Sequence, residues 1–217
     1  MIDLYTDATP NGLKISIALE EFGLEYKAHR MYLGGDQKTA EFTQINPNQK
    51  IPVLKDGNTT VSESGAILYY LAEKTGQFLP RDLVKRAKVI EMLMLQMSGL
   101  GPSFGQLLVW AAAWNNEFPV VTERYQKEVT RLLSVLDSCL EGNQYFAGDE
   151  YTIADIAFFP WVRMCDVHPI GQMVPMTEYR NLSNWYLRVA QRDAVKRGVL
   201  VPEPHPPEEQ FKAFVSA

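Results

Sequence analysis

Cysteine and histidine are scarce in this sequence of 217 residues, which limits the chemistry that the chain can perform with its own side chains. The two cysteines, Cys139 and Cys165, are too far apart for a CxxC redox pair and too few for a four-cysteine zinc site. The three histidines, His29, His168 and His205, are widely scattered, and none pairs with a plausible nucleophile or metal ligand. We therefore expect no metal site, no catalytic histidine, and two reduced thiols with structural roles.

Long apolar runs and an excess of basic charge are also absent. No stretch approaches the roughly 18 apolar residues of a membrane-spanning helix, and residues 1–5 lack the basic start and apolar core of a signal peptide. The 21 basic residues are outnumbered by 26 acidic ones, and this net charge of −5 argues against a broad nucleic-acid-binding surface. With 46% hydrophobic residues the composition is that of a globular protein. We expect a cytoplasmic protein with no membrane or nucleic-acid partner.

The first 80 residues alternate between strand and helix patterns. Residues 2–6 alternate apolar and polar side chains as a strand does, and the turn 9–12 leads into an amphipathic helix that Gly23 should end. Further strand patterns occur at 26–33, 52–55 and 59–61, and further helix patterns occur at 39–45 and from 62 to about 76. This order of elements predicts an α/β unit.

The rest of the chain, after a linker at 80–82, has helical patterns throughout. Several glycines and Pro102 interrupt the long apolar-periodic stretch 83–114 and predict a bend. The segment Thr152-Ile153-Ala154-Asp155 has the sequence of a capping box, with Tyr151 and Ile156 placed for a hydrophobic staple. The other predicted helices cover 120–140, 156–166 and 178–191, and a short amphipathic piece covers 211–215.

Four groups of short motifs together resemble one protein family. They are Thr9-Pro10-Asn11-Gly12-Leu13-Lys14; Asn48-Gln49-Lys50-Ile51-Pro52 with Glu63-Ser64-Gly65-Ala66-Ile67; Gly99-Leu100-Gly101-Pro102 with Gly105-Gln106; and Thr152-Ile153-Ala154-Asp155. On these residues the chain resembles the glutathione transferases, and most closely their Nu-class branch of disulfide-bond oxidoreductases. The first and third motifs point to the branch, and the second and fourth are common across the superfamily.

The resemblance has implications for fold and assembly. It implies a thioredoxin-like, glutathione-binding α/β domain over residues 1–80 and an all-α domain over residues 81–217. It also implies glutathione as the co-substrate, no metal, and a two-fold homodimer. A disulfide or an electrophilic small molecule is then the expected second substrate.

The tripeptide glutathione must be held through its carboxylates, its amine and its main chain. The resemblance implies that Pro52 follows a cis peptide bond and that Ile51 pairs its main chain with the cysteinyl part; a trans proline at a strand start is the alternative. Glu63 and Ser64 lie at a predicted helix start, where an anion binds well, so Ser64 is expected to take the γ-glutamyl carboxylate and Glu63 its ammonium. Simple capping of the helix by Ser62 or Ser64 is the competing interpretation.

Three further positions are candidates for contact with glutathione. Lys50 and Gln37 are candidates for the glycyl carboxylate, and each could equally be a solvated surface side chain. Arg131 is implied by the resemblance to reach the glutathione of the neighbouring subunit. Its alternative is a surface ion pair with Glu128 or Asp137.

The thiol group of glutathione sets the rate, because only the thiolate is a good nucleophile. Lowering the thiol pKa by about two units from about 8.5 takes ~2.7 kcal/mol, which one or two hydrogen bonds to the charged sulfur supply. Together with the resemblance, the position of Thr9 and Asn11 between the first strand and the first helix makes them the expected donors. The alternative for Thr9 is helix capping with Pro10 as the first helical residue. Tyr5 is the rival activator, although its place in an alternating strand favours core packing.

The second substrate should meet residues of the bent helix. Phe104, Gln106 and Trp110 are the candidates, with core packing as the alternative for these aromatics and for Trp114. The apolar run Leu107-Leu108-Val109 departs from the polar run expected of the branch and favours a pocket for hydrophobic substrates.

Three functions fit these observations. The leading hypothesis is a glutathione-dependent disulfide-bond oxidoreductase with transferase and peroxidase side activities. If no cysteine of the protein serves, glutathione itself must supply both thiols. The first alternative is a transferase that conjugates glutathione to hydrophobic electrophiles or reduces hydroperoxides. The second is a non-catalytic, transferase-like binding or regulatory protein, which the presence of both Thr9 and Asn11 disfavours.

Overall fold

The computed structural model describes residues 1–113 and 117–203, and the chain forms two compact units. The first unit combines residues from Met1 to Gln77 with those from Arg192 onward, and the second contains Phe78–Gln191. The predicted role of Trp114 and the predicted helical piece at 211–215 lie outside the described residues. Within the described residues, no helix is both long enough and apolar enough to cross a bilayer.

The first unit is built on a four-stranded mixed sheet with the strand order β2-β1-β3-β4. The strands are β1 (Ile2–Thr6), β2 (Tyr26–Arg30), β3 (Val53–Asp56) and β4 (Thr59–Ser62). Strand β1 runs parallel to β2 and antiparallel to β3, and β3 runs antiparallel to β4. The helices are α1 (Pro10–Phe22), α2 (Ala40–Ile45) and α3 (Ser64–Thr75), with a 3₁₀ turn at Asp36–Lys38. This confirms the thioredoxin-like α/β architecture predicted for the first 80 residues.

Helix α1 begins and ends as its sequence predicts. Thr9 is its N-cap residue, Pro10 is its first residue, and Gly23 ends it in the left-handed conformation with φ of 64°. Nearly all of the helix is buried, including Ile15, Ile17 and Leu19, so it forms part of the core of the first unit.

A short helix near the end of the described chain, α9 (Asp193–Gly198), packs on α1. The Ser16 hydroxyl donates to the Gly198 carbonyl at 2.7 Å, and a Cβ at Gly198 would lie 2.5 Å from Ile17 Cα. Arg192 and Arg197 pair with Glu21 and Glu20, also on α1. The sequence predicted no helix there, and the whole region after residue 80 was expected to belong to the second domain. The structure instead places α9 in the first unit, because the contacts that hold it join residues far apart in the chain.

The second unit consists of helices. They are α4 (Leu83–Leu95), α5 (Gly101–Leu108), α6 (Pro119–Cys139), α7 (Ile153–Val167) and α8 (Arg180–Ala190). Two π-helical turns, Gln96–Leu100 and Val109–Ala113, flank α5 and interrupt the predicted long helix. Pro102 lies at the start of α5, so its missing amide hydrogen costs no hydrogen bond inside a continuous α-helix.

The start of α7 confirms the predicted capping box. The Thr152 hydroxyl accepts from the Ala154 amide, and the Asp155 carboxylate accepts from the Thr152 amide at 2.9 Å. Asp155 also accepts from the Phe146 amide and from Trp185 Nε1, so one buried carboxylate joins three segments of the second unit.

Candidate functional site

The register of the sheet brings three chain segments to one edge. Tyr5, near the end of β1, pairs with Val53, the first residue of β3, and Val53 pairs with Ser62, the last residue of β4. The loop after β1, the residue before β3 and the start of α3 therefore lie side by side. These are the segments that carry Thr9, Pro52 and Ser64.

The loop after β1 is held closely against the start of α1. The Thr9 amide donates to the Asp7 carbonyl at 2.7 Å, and a Cβ at Gly12 would lie 2.1 Å from that same carbonyl oxygen. The Asp7 side chain is fully buried, with one oxygen 2.9 Å from the Ala8 amide and 3.4 Å from Arg30 Nε. Only glycine fits at position 12 without displacing this loop.

Thr9 caps α1, and this does not prevent a second role. Its hydroxyl oxygen accepts from the Gly12 amide at 3.2 Å. A hydroxyl group has one hydrogen to donate and two lone pairs to accept with, so a capping threonine can still donate to a sulfur atom. Asn11 lies in the first turn of the same helix and is half-buried. Capping of α1 by Thr9 and donation of a hydrogen bond by Thr9 to a sulfur atom are therefore compatible.

Tyr5 is half-buried and packs on aromatic rings, so it is not the fully buried core residue that its strand position predicts. Its ring stacks on His29 with centroids 4.8 Å apart and lies 6.2 Å from the Phe42 ring. These contacts account for Tyr5 through packing within the first unit.

The Ile51–Pro52 peptide bond is cis, as the resemblance implied, and Pro52 is buried. The loop before it is fixed by Asn46, whose amide donates to the Lys50 carbonyl at 2.8 Å. Gln49 in this loop has a φ of 55°, which is uncommon for a residue other than glycine.

The start of α3 differs from a simple capped helix. Glu63 is the N-cap residue with a φ of 68°, and it makes no side-chain capping hydrogen bond. The N-cap position is therefore occupied by Glu63 and by neither serine of the capping interpretation. Ser64 is the first helical residue and is buried, whereas Glu63 is exposed and accepts from Asn48 Nδ2 at 3.4 Å. Backbone strain of this kind is concentrated at functional sites.

A buried lysine contacts Ser64, and the sequence predicted no role for it. Lys14 Nζ donates to Ser64 Oγ at 3.3 Å, and Lys14 is only 1% exposed. In the sequence, Lys14 is one of several polar residues in the first helix. Its spacing from Thr9 did not predict a contact with the start of α3.

Gln37 and Lys50 differ in their surroundings. Gln37 is buried, its Nε2 donates to the Leu33 carbonyl at 2.7 Å, and its Oε1 has no hydrogen-bond partner among the described residues. Its alternative as a solvated surface side chain is therefore wrong. Lys50 is exposed.

Comparison with known proteins agrees with this geometry. The model of the glutathione S-transferase N-terminal domain matches residues 2–73, and that of the glutathione S-transferase C-terminal domain matches residues 103–193. The chain is 42% identical over 208 residues to the disulfide-bond oxidoreductase YfcG of Escherichia coli, with 92% of this chain and 95% of the relative covered. The chain belongs to the glutathione S-transferase family.

Solved structures of this family have the same fold. A glutathione transferase family member from Pseudomonas fluorescens with two glutathione bound has a TM-score of 0.87 and 42% identity, covering 91% of this chain and 92% of that one. A Pseudomonas putida glutathione transferase with one glutathione disulfide bound per subunit has a TM-score of 0.88 and 40% identity, covering 93% and 91%.

In the helical unit of this transferase, one predicted pocket residue needs correction. Phe104 has no exposed surface, and its ring lies 6.0 Å from that of Trp161, so it is a core residue and does not line an open pocket. Gln106 is exposed and accepts from Trp110 Nε1 at 3.1 Å. Gln106 and Trp110 remain candidates for contact with the second substrate.

The apolar run after Gln106 is also mostly core. Leu107 and Leu108 are 0% and 3% exposed. Their apolar character is explained by the core of the helical unit, so they give no evidence for a hydrophobic substrate pocket.

Arg131 of the transferase forms a bidentate ion pair with Glu128, with distances of 2.8 and 2.7 Å. Asp137 instead accepts from the Leu182 amide at 2.9 Å. Arg131 also lines an open groove of about 850 Å³ on the surface of α6. Among its lining residues are Glu123, Arg124, Lys127 and Glu128.

Both cysteines are free thiols, as expected, and both are poor nucleophiles. Burial raises the pKa of Cys165 to about 12 and raises the pKa of Cys139 above its ordinary value. A thiol with a raised pKa is protonated at neutral pH and reacts slowly. Among the residues described, no group of three or more His, Cys, Asp or Glu side chains is arranged to hold a metal ion.

Proposed function

We propose that this transferase is a glutathione-dependent disulfide-bond oxidoreductase with glutathione transferase and peroxidase side activities. The observation that carries the proposal is the sheet edge, where the register places the Thr9 loop, the cis Pro52 and the start of α3 side by side. The two glutathiones and the glutathione disulfide in the Pseudomonas relatives support the same reaction.

Each part of glutathione has a matching group at this edge. The main chain of Ile51, the residue before the buried Pro52, pairs with the cysteinyl part of glutathione. Ser64 receives the γ-glutamyl carboxylate at the start of α3, where helix amides and the helix dipole favour an anion. Glu63 receives the ammonium group, and Lys50 and Gln37 serve the glycyl carboxylate. These assignments place glutathione binding in residues 1–80.

The Thr9 hydroxyl and the Asn11 amide stabilise the thiolate of bound glutathione. Hydrogen bonds to a charged group contribute roughly 1.5–3 kcal/mol each, which is enough to lower the thiol pKa by one to two units. Thr9 can do this while it caps α1, because its oxygen accepts from the Gly12 amide and its hydrogen is donated.

The reaction then needs two glutathione molecules and no protein thiol. The bound thiolate attacks one sulfur of a disulfide, forms a mixed disulfide and releases the other half as a thiolate, which takes a proton. A second glutathione thiolate attacks the glutathione sulfur of the mixed disulfide and releases the remaining thiol. Two glutathiones are oxidised to one glutathione disulfide, and the substrate disulfide is reduced to two thiols. The raised pKa values of Cys139 and Cys165 support this use of glutathione.

Parallel assays test the assignment. The purified enzyme is given glutathione with a glutathione mixed disulfide, with a chlorinated nitrobenzene or with cumene hydroperoxide, at equal concentrations. We expect the mixed disulfide to react fastest, and a Cys139→Ala, Cys165→Ala double variant to keep that activity. Faster conjugation of the nitrobenzene would replace the proposal by the transferase alternative, and no turnover with an unshifted thiol pKa in bound glutathione would favour the binding protein.

A homodimer is part of the proposal. In the dimer, Arg131 either breaks its ion pair with Glu128 or keeps part of it, and it contacts the glutathione of the neighbouring subunit across the α6 surface. Sedimentation velocity should give twice the monomer mass of 24.6 kDa. Arg131→Ala should raise the KM for glutathione, and a monomer with undiminished activity would contradict both statements. We expect the enzyme to act in the cytoplasm, where a pool of reduced glutathione supports the reaction.

A further inference from the structure

Lys14 is a buried lysine that the mechanism above does not use. It lies in α1 and is 1% exposed, and lysine is seldom buried to this extent. Removing an ammonium group from water is costly unless nearby groups compensate the charge. The groups around Lys14 Nζ therefore determine how easily it holds a positive charge.

The side chain ends directly behind Ser64. Lys14 Nζ lies 3.3 Å from Ser64 Oγ, and these residues belong to α1 and α3, two elements that pack on each other. An ammonium group can only donate hydrogen bonds, so the Ser64 oxygen acts as the acceptor in this contact. A hydroxyl group that accepts on one side still has a hydrogen to donate, and a carboxylate ligand requires a donor.

The ammonium form of Lys14 and an anion at Ser64 would stabilise each other. Burial lowers the pKa of Lys14 well below its ordinary value, and the nearby Glu63 carboxylate raises it in part. A second carboxylate at Ser64 would act in the same direction as Glu63 and stabilise the ammonium form. In return, a positive charge behind the hydroxyl group stabilises the bound carboxylate.

We propose that Lys14 is a positioning residue that acts through the Ser64 hydroxyl to select the α-carboxylate of the γ-glutamyl group of glutathione. The inference rests on the proposed function, because it assumes that glutathione binds at this edge of the sheet. The α-carbon of the γ-glutamyl group carries both a carboxylate and an ammonium group. In this proposal, binding of the carboxylate depends on Lys14 and Ser64, and binding of the ammonium group depends on Glu63.

Three ligands isolate the carboxylate. Glutathione has both groups, glutaryl-cysteinylglycine keeps the carboxylate and lacks the amine, and 4-aminobutyryl-cysteinylglycine keeps the amine and lacks the carboxylate. Their dissociation constants are measured by calorimetry with the wild-type enzyme and with Lys14→Met, Lys14→Arg and Lys27→Met. Lys27 is an exposed lysine on β2 of the same unit and serves as the matched control.

We expect Lys14→Met to weaken glutathione and the glutaryl peptide roughly tenfold or more, from the loss of one charge-assisted interaction. The aminobutyryl peptide should bind Lys14→Met about as well as it binds the wild type, because it has no carboxylate at this position. Lys14→Arg keeps the positive charge and should recover part of the preference for the carboxylate. Lys27→Met should match the wild type with all three ligands.

Several outcomes would overturn the inference. Equal weakening of all three ligands by Lys14→Met would show a general structural role, and no weakening of any would show that Lys14 does not act on the ligand. If the wild type binds none of the three ligands, the proposed function fails first, and this result is distinct from the other two.

A measurement on the unaltered enzyme covers the case in which Lys14→Met does not fold. With ¹³C-labelled lysine, the Lys14 Cε signal is followed by NMR during titration with each ligand. It should shift with glutathione and with the glutaryl peptide and stay in place with the aminobutyryl peptide. A signal that moves equally with all three, or with none at saturation, contradicts the proposal.

Discussion

At the scale of single residues, the Thr9 hydroxyl is the group on which the proposed thiolate activation depends. Its oxygen is occupied by the Gly12 amide, and its hydrogen is the only part that can stabilise a sulfur anion. Capping and activation therefore use different parts of one group, and substitutions can separate them.

Thr9→Asp keeps the cap and removes the donor, whereas Thr9→Ser keeps both. Aspartate is a good N-cap residue, so Thr9→Asp should unfold at about the wild-type denaturant concentration. Its ionised carboxylate only accepts hydrogen bonds and repels a thiolate, so disulfide reduction should slow by roughly tenfold or more. The checks are urea unfolding and the ultraviolet titration of the bound glutathione thiol. A Thr9→Asp enzyme with wild-type activity would rule out donation by Thr9.

Thr9→Val and Asn11→Ala complete the series. Thr9→Val loses both the cap and the donor and should cost about 1 kcal/mol of folding free energy in addition to the slower rate. Asn11→Ala should slow the reaction roughly tenfold or more, as expected for the loss of one hydrogen bond to a charged sulfur. The Thr9 cap should be retained in this variant, since Asn11 is not the capping residue.

At the scale of elements, the start of α7 depends on a carboxylate that has no contact with solvent. Burial raises the pKa of Asp155 from 3.8 to about 6, and the hydrogen bonds from Thr152, Trp185 and Phe146 offset only part of this effect. The folded protein therefore holds a proton on Asp155 over a pH range in which the unfolded chain has lost it.

This difference predicts a pH dependence of stability. Between pH values of about 4 and 6, the folded state binds more protons at Asp155 than the unfolded state does. The contribution of Asp155 to the unfolding free energy therefore decreases as the pH rises through this range. Above pH of about 6 the contribution no longer changes. The total change is about 3 kcal/mol at most. The asparagine of Asp155→Asn does not titrate. This variant should be less stable than the wild type, but its unfolding free energy should decrease less than that of the wild type between pH 4.5 and 7. Equal slopes in urea unfolding of both proteins would contradict the prediction.

At the scale of the whole molecule, the described chain after residue 191 belongs to the first compact unit. Its attachment to α1 requires a glycine, because a Cβ at position 198 would meet the backbone of Ile17. The C-terminal segment thus closes back on the unit in which the chain begins.

Gly198→Ala tests this attachment. Overpacking of a close contact costs roughly 1–3 kcal/mol, so we expect a lower thermal midpoint and faster hydrogen exchange in α1 and α9. The control is Gly105→Ala in α5, where a Cβ would meet only Trp161 at 3.6 Å, an ordinary contact. Because alanine favours a helix more than glycine does, this control should be neutral or slightly stabilising. Unchanged exchange in α1 of the Gly198→Ala protein would show that α9 does not hold that helix.

The sequence by itself determined the features that are encoded over short distances. The first strand, the bounds of α1 with its glycine end, and the capping box of α7 follow from a few neighbouring residues, because hydrogen bonds at helix ends join positions that are three or four residues apart. The motifs also indicated the family, and that resemblance implied the cis bond before Pro52 and the segments that form the candidate site.

Only the tertiary structure decided which side chains meet across the chain. The contact of Lys14 with Ser64 joins residues 50 positions apart, and no local pattern contains such information. The burial of Phe104 and Leu107 likewise depends on helices that pack against α5, so an aromatic or apolar residue at helical spacing could be assigned to pocket or core only from the fold. Helix α9 was missed for the same reason: its six residues have too little apolar periodicity to be predicted, and it is held by contacts with α1.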